Sequence, residues 1–208
     1  MVKSEYNEVM DYWHSESLPD RPIHVEQPIT WRRVMIDTLE TILLSLLLFL
    51  VINTASERIR VESVSMQPNL YAGDFVIVNK LLYTFFQEPE RGDVIVFHYP
   101  RNPSDIPYIK RVVGLPGDQV HIADGMVYVN GEILVEPYIS IPTNQGGDWS
   151  VPPDSYFVMG DNRNNSSDSR TWGFVPAAQI IGRAELVYWP PQDWGLLHVN
   201  MAVAAPSP

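Results

Sequence analysis

Gln119-Val120-His121-Ile122-Ala123-Asp124-Gly125-Met126-Val127-Tyr128-Val129 carries two short runs of alternating side chains on either side of Asp124-Gly125. Successive residues of a strand point to opposite faces, and an Asp-Gly pair suits the positive backbone angles of a two-residue turn. The stretch therefore predicts an antiparallel hairpin. Asn130-Gly131 supplies a second turn of the same kind directly after it. Outward from this hairpin, Asp74-Phe75-Val76-Ile77-Val78-Asn79 and Asp93-Val94-Ile95-Val96-Phe97-His98 are β-branched runs, each opened by a Gly-Asp turn signal. Ser155-Tyr156-Phe157-Val158-Met159 and residues 180 to 188 read as further strands, and residues 137 to 153, rich in Pro, Gly, Asn and Asp, as a loop excursion. The fold class that follows is mainly β, built of antiparallel sheets.

One segment breaks this pattern. Residues 34 to 52 are apolar over nearly the ~20 residues a spanning helix needs. Asp37 and Glu40 fall in the first turns, where they can sit at headgroup depth, and no charge interrupts residues 42 to 52. The reading is one N-terminal transmembrane helix. A cleavable signal peptide has a similar apolar length, but the acidic lead of residues 1 to 33 is long for one. A buried soluble helix would lack any polar face. The chain divides into a polar tail (1–33), an anchor (34–56), a β domain (57–190) and a C-terminal tail (191–208). Arg32 and Arg33 precede the span while Arg58 and Arg60 follow it, so charge alone leaves its orientation open.

Directly beyond the span lies Glu62-Ser63-Val64-Ser65-Met66-Gln67-Pro68-Asn69-Leu70. Two hydroxyls two residues apart can share one face of a strand that Pro68 then stops. A nucleophilic serine needs a base. The chain has no cysteine, and its histidines sit in no metal or triad spacing. His98 ends a strand beside Tyr99-Pro100, where a partly exposed histidine is the commoner outcome, although a Ser65-His98-Asp triad is a formal alternative. Of the lysines, Lys3 lies in the polar tail and Lys80 at a strand end, where its head reaches solvent. Lys110, in Tyr108-Ile109-Lys110-Arg111-Val112-Val113, shares a strand face with Tyr108 and Val112, a desolvating setting for a cation. Taken singly, Ser65 reads as a turn cap and Lys110 as a surface lysine; together they are a candidate nucleophile and base.

Four boxes occur in order: Ser63-x-Ser65-Met66-x-Pro68; Arg91-Gly92-Asp93-Val94-Ile95-Val96-Phe97; Tyr108-Ile109-Lys110-Arg111-Val112-Val113-Gly114-Leu115-Pro116-Gly117-Asp118; and Gly160-Asp161-Asn162-Arg163-Asn164-Asn165-Ser166-Ser167-Asp168-Ser169-Arg170. Their series resembles the motif boxes of bacterial type I signal peptidases. The resemblance implies a partly open β-barrel catalytic domain, an N-terminus inside the cell and the domain outside it. It also implies a Ser65/Lys110 dyad cutting exported preproteins whose signal peptides carry small residues one and three positions before the cut. Ser63 is implied as an oxyanion donor, Ser166 as a hydrogen-bond partner of the Lys110 amine, and Asp168 and Arg170 as a brace. No metal or organic cofactor is implied. Asn69 stands where the family usually has threonine.

The fourth box, read without the resemblance, is dense in side chains that bind local backbone and should be an ordered loop. As a calcium loop it fails at Arg163, which occupies a position where a ligand oxygen belongs. A net charge of -11 excludes the basic face that nucleic acid requires. Two other functions compete: a self-cleaving repressor with the same Ser-Lys chemistry, which needs a DNA-binding head, and a catalytically silent β-module tethered to the bilayer.

Overall fold

Helix α1 (Trp31–Ala55) runs for 25 residues and passes without a linker into strand β1 (Ser56–Arg60). The computed structural model describes residues 30–103 and 106–197, so most of the expected tail at residues 1–33 and residues 198–208 lie outside the described residues. α1 starts and ends slightly before the expected span of residues 34–56, and its side chains are exposed along its length, as a helix facing lipid requires. The chain separates into a unit ending at Leu46 and one beginning at Leu47. In the first, the described residues are the N-terminal part of α1; the second holds all the strands.

The larger sheet takes in β2 (Phe75–Asn79), β3 (Val94–Phe97), β4 (Tyr108–Gly114), β9 (Ser155–Met159), β10 (Val175–Pro176), β11 (Ile180–Trp189) and β12 (Gly195–Leu196). Its order is β1-β2-β11-β3-β4-β9-β10, with β12 beside β11, and the described pairs are antiparallel. Among the described residues the path ends at β1 and β10 without closing, as expected of a partly open barrel. β11 pairs β2 on one side and β3 on the other, with register shifts against both partners. Bulges of this kind bend a strand and curl the sheet around a core.

The smaller sheet has the order β7-β6-β5-β8, from β5 (Gln119–Ala123), β6 (Met126–Val129), β7 (Glu132–Ile133) and β8 (Gly147–Ser150). The hairpin reading holds: β5 pairs β6 through Asp124 (φ 52) and Gly125 (φ 79), the left-handed pair of such a turn. Two expectations change. The excursion of residues 137–153 contains β8, whose Trp149 packs on Phe157, because one aromatic gives a short polar segment a core contact. The domain also continues past residue 190: a short turn (Pro191–Asp193) returns the chain so that β12 pairs β11, and Leu197 is buried.

β3 reads as a continuous β-branched run because it is buried on both faces. Phe97 is fully buried and packs between Tyr108 and Trp172. Phe97→Ala should therefore lower the unfolding free energy by about 3–5 kcal/mol, read as a reduced urea midpoint at unchanged slope.

Candidate active site

Met66 and Leu70 are fully buried in the core under β2, β3 and β4. They stand four residues apart and fix the local chain as a turn: the Gln67 N–H donates to Val64 O at 3.2 Å, and the Asn69 and Leu70 N–H groups donate to Met66 O at 3.0 Å. Ser65 opens that turn. The sequence reading placed Ser63 and Ser65 on a strand, but β1 ends at Arg60. Burying residues at helical rather than alternating spacing, with Pro68 between them, favours a turn. Just upstream, Val61 is held by two backbone bonds of 2.8 Å with Asp74 and Gly73. The main-chain groups of Glu62 and Ser63 make no hydrogen bond among the described residues.

Lys110 lies in the middle of β4, opposite Ile95 of β3, and is 4% exposed. Its Nζ is 2.7 Å from Ser65 Oγ and donates a second bond to Ile109 O at 2.9 Å. Ser63 Oγ is 3.0 Å from Ser65 Oγ, and the Ser65 N–H has no acceptor among the described residues. Burial pushes the Lys110 amine down to about 8, while the Asp168 and Asp161 carboxylates pull it the other way. These groups open on a recess of about 360 Å³, walled by Ile59, Val61, Val64, Ile106 and Tyr108. A serine hydroxyl against a largely desolvated amine, beside an unused N–H and a second hydroxyl, can perform acyl transfer.

The next residue, Arg111, points away from the recess and is 1% exposed. Its Nε and Nη2 donate to the two oxygens of Asp161 at 2.8 and 2.7 Å, its Nη1 donates to Gly92 O, and its guanidinium lies 4.2 Å from the centre of the Tyr138 ring. Asp161 begins the polar loop that reaches the nucleophile. The Asn162 N–H donates to Ser65 O at 3.0 Å and its Nδ2 to Val64 O at 3.2 Å. Gly160 permits this approach: a Cβ there would lie 2.4 Å from Ser65 O and 2.3 Å from Ser166 Oγ.

Asp168 and Arg170 form a buried pair behind the loop. Asp168 accepts from the Gly160 N–H at 3.0 Å and from Arg170 Nε and Nη2 at 2.8 and 2.7 Å; Arg170 also donates to Thr143 Oγ1 and Arg163 O. Ser166 departs from its expected role. Its buried Oγ makes no hydrogen bond among the described residues, and the Lys110 amine bonds Ser65 Oγ and Ile109 O instead. His98 makes no bond to Ser65, and Lys80 faces Glu57 at 3.9 Å. The sequence reading flagged Asn69 without giving it a role, and missed Glu136 and Tyr138. Asn69 Nδ2 donates to both Tyr138 O and Asp161 Oδ2 at 2.8 Å, and Glu136 pairs with the buried Arg163. The available signal was an acid and an aromatic ring at the start of a loop otherwise made of turn residues.

The pH dependence follows in sign. With the folded amine at about 8, only about a tenth is neutral at pH 7, so kcat/KM should rise with pH and level off above about 8. The folded state binds this proton more weakly than the unfolded chain, whose lysine titrates near ~10.4. Stability should therefore increase as pH rises from about 8 toward ~10.4, with the full penalty present below that window. Lys110→Met should unfold at higher urea than wild type at pH 7 and show no such rise.

The sequence profile of a family described as "Signal peptidase, peptidase S26" matches residues 35–189. Signal peptidase I of Leptolyngbya laminosa is 46% identical over 171 residues, which cover 78% of this chain and 84% of that protein. Probable signal peptidase I-2 of Synechocystis sp. is 45% identical over 146 residues, 66% of this chain and 65% of that protein, so the match spans just under two thirds of this relative's length. A crystal structure of a signal peptidase I from Enterococcus faecalis, 36% identical, covers 47% of this chain and 97% of its own with a TM-score of 0.42.

Proposed function

The chain belongs to the signal peptidase family, peptidase S26, and from that membership we propose that it is a membrane-anchored serine endopeptidase that removes signal peptides from exported preproteins through Ser65 and Lys110. The observation that carries the residue assignment is the 2.7 Å separation of Lys110 Nζ and Ser65 Oγ inside an apolar recess. The neutral amine accepts the Ser65 hydroxyl proton as Oγ bonds to the scissile carbonyl carbon. The Ser65 N–H and the Ser63 hydroxyl, rotated about its Cα–Cβ bond, donate to the developing oxyanion. On collapse of the tetrahedral species, the Lys110 ammonium returns its proton to the departing amine and an acyl-Ser65 ester remains. Lys110 then accepts a proton from the water that attacks the ester and passes it to Ser65 Oγ as the acyl–Oγ bond breaks, which releases the acid and restores the hydroxyl and the neutral amine.

The signal peptide enters as a strand along residues 61–64, where the unused main-chain groups of Glu62 and Ser63 supply hydrogen bonds. Alternate side chains of a strand then face the recess, which accounts for selection of small residues one and three positions before the cut. α1 spans the bilayer with the N-terminus inside the cell and the β domain outside, where preproteins emerge.

Ser65→Ala and Lys110→Ala should each abolish cleavage of a preprotein while circular dichroism shows a folded domain, and His98→Ala should retain activity. Wild-type cleavage by Lys110→Ala would remove the dyad. Ser63→Ala should lower kcat by about 100- to 1000-fold at nearly constant KM, the loss of one oxyanion donor. A peptide series with leucine placed singly before the cut should be rejected at positions one and three and tolerated at position two. Equal rejection at all three would mean the substrate is not bound as a strand.

A further inference from the structure

A second recess of about 220 Å³ borders the nucleophile turn on its downstream side. From the chain around Ser65 the first recess takes residues 59–65, whereas this one takes Gln67, Pro68 and Tyr71 from the turn that follows, with Ser140, Ile141 and Asn162 also in its lining. Asn162 spans the short distance between the two, since its N–H is bonded to Ser65 O. The nucleophile thus stands between two recesses.

The walls of the second recess are held from within. Asn69 ties Tyr138 O on one wall to Asp161 on the other with one amide nitrogen. Arg163 is 1% exposed in its side chain and joins Glu136 to Gly160 O, while Asp161 is occupied by Arg111. The charges at the base are therefore paired with each other. Tyr71 and Ile141, 45% and 65% exposed, offer apolar surface, and Gln67 and Asn162 offer amides. Such a lining accepts an uncharged apolar side chain and penalises a carboxylate, which would lose water without meeting a free cation.

We propose that this recess is the binding site for the residues that follow the scissile bond, with Tyr71 and Ile141 selecting an apolar side chain among the first three residues of the released protein. This rests on the peptidase reading above: if the acyl side of the substrate lies along residues 61–64, a peptide crossing Ser65 must leave by the downstream side. Asn69 then acts as a positioning residue, fixing the wall that carries Ile141 relative to the nucleophile turn.

The experiment uses the full chain in detergent and two kinds of substrate. The first is an Ala-x-Ala peptide ester with a small chromogenic leaving group and nothing beyond the cut. The second is a peptide series with leucine or glutamate placed singly at the first, second or third residue after the cut. Wild type should hydrolyse the ester and, at one of the three positions, prefer leucine by about tenfold or more in kcat/KM, the range for an apolar side chain in a pocket. That preference should fall toward unity in Tyr71→Ser and Ile141→Ser. Because a ratio between two peptides is read on the same preparation, partial loss of folded enzyme does not alter it. Ester hydrolysis with equal rates for leucine and glutamate at all three positions overturns the proposal and leaves the peptidase reading standing, as does a preference undiminished in both variants. Failure of wild type to hydrolyse either kind of substrate overturns the peptidase reading, and this proposal with it.

Discussion

The bidentate pair between Arg111 and Asp161 fixes the geometry on which the site depends. Arg111 belongs to β4 and Asp161 to the loop after β9, and both side chains are 1% exposed. A charge so deeply buried is tolerable only when paired and hydrogen-bonded, and removing one partner of such a pair typically costs about 3–5 kcal/mol. The fold therefore holds this contact rigidly, and the neighbours of its two ends belong to the candidate site. Lys110 precedes Arg111 on β4 and points to the opposite face; Asn162 follows Asp161 and binds the nucleophile's carbonyl. A single ion pair thus ties the strand that carries Lys110 to the loop that holds Ser65. Tyr138, stacked on Arg111 and bonded through its carbonyl to Asn69, extends the same control to the downstream wall.

The two adjacent basic residues of β4 are treated in opposite ways, and the contrast separates structure from function. Arg111 donates to both oxygens of Asp161 and to Gly92 O, which serves packing. Lys110 receives one hydroxyl, one carbonyl and a ring 5.7 Å away, but no carboxylate within bonding distance. The result is an amine that releases its proton near neutrality. That arrangement destabilises the folded chain below about pH 8 and is kept by the large core beneath it, in which Met66, Val76, Val78 and Val96 are fully buried.

Much of this was legible in the sequence, for identifiable reasons. The β5–β6 hairpin was readable because Asp124-Gly125 is a local signal, and β2, β3, β4 and β9 because β-branched runs between turn residues are local as well. Ser65 stood out as a candidate by its place directly beyond the apolar span, and Lys110 as the candidate base by elimination among three lysines in a chain without cysteine. What escaped was non-local. β8 is strand only because β5 offers it an edge, and β12 only because the chain turns back after Pro191. The turn at Ser65 replaces the expected strand because the core takes Met66 and Leu70 together, a demand made by β2, β3 and β4 rather than by the turn itself. Tyr138 and Glu136 have ordinary local surroundings, and Asn69 stood out in the sequence without a role; what they do comes from Asp161 and Arg163, which lie far along the chain.

The bonds that assemble the site join residues 45 positions apart in the case of Lys110 and Ser65, and 98 apart in the case of Asn162 and Val64. No short fragment of the chain contains a serine with its base, and contacts of such long range form only as the sheet closes. A chain still being synthesised therefore keeps Ser65 and Lys110 apart until β3, β4 and the loop after β9 have all been made and paired.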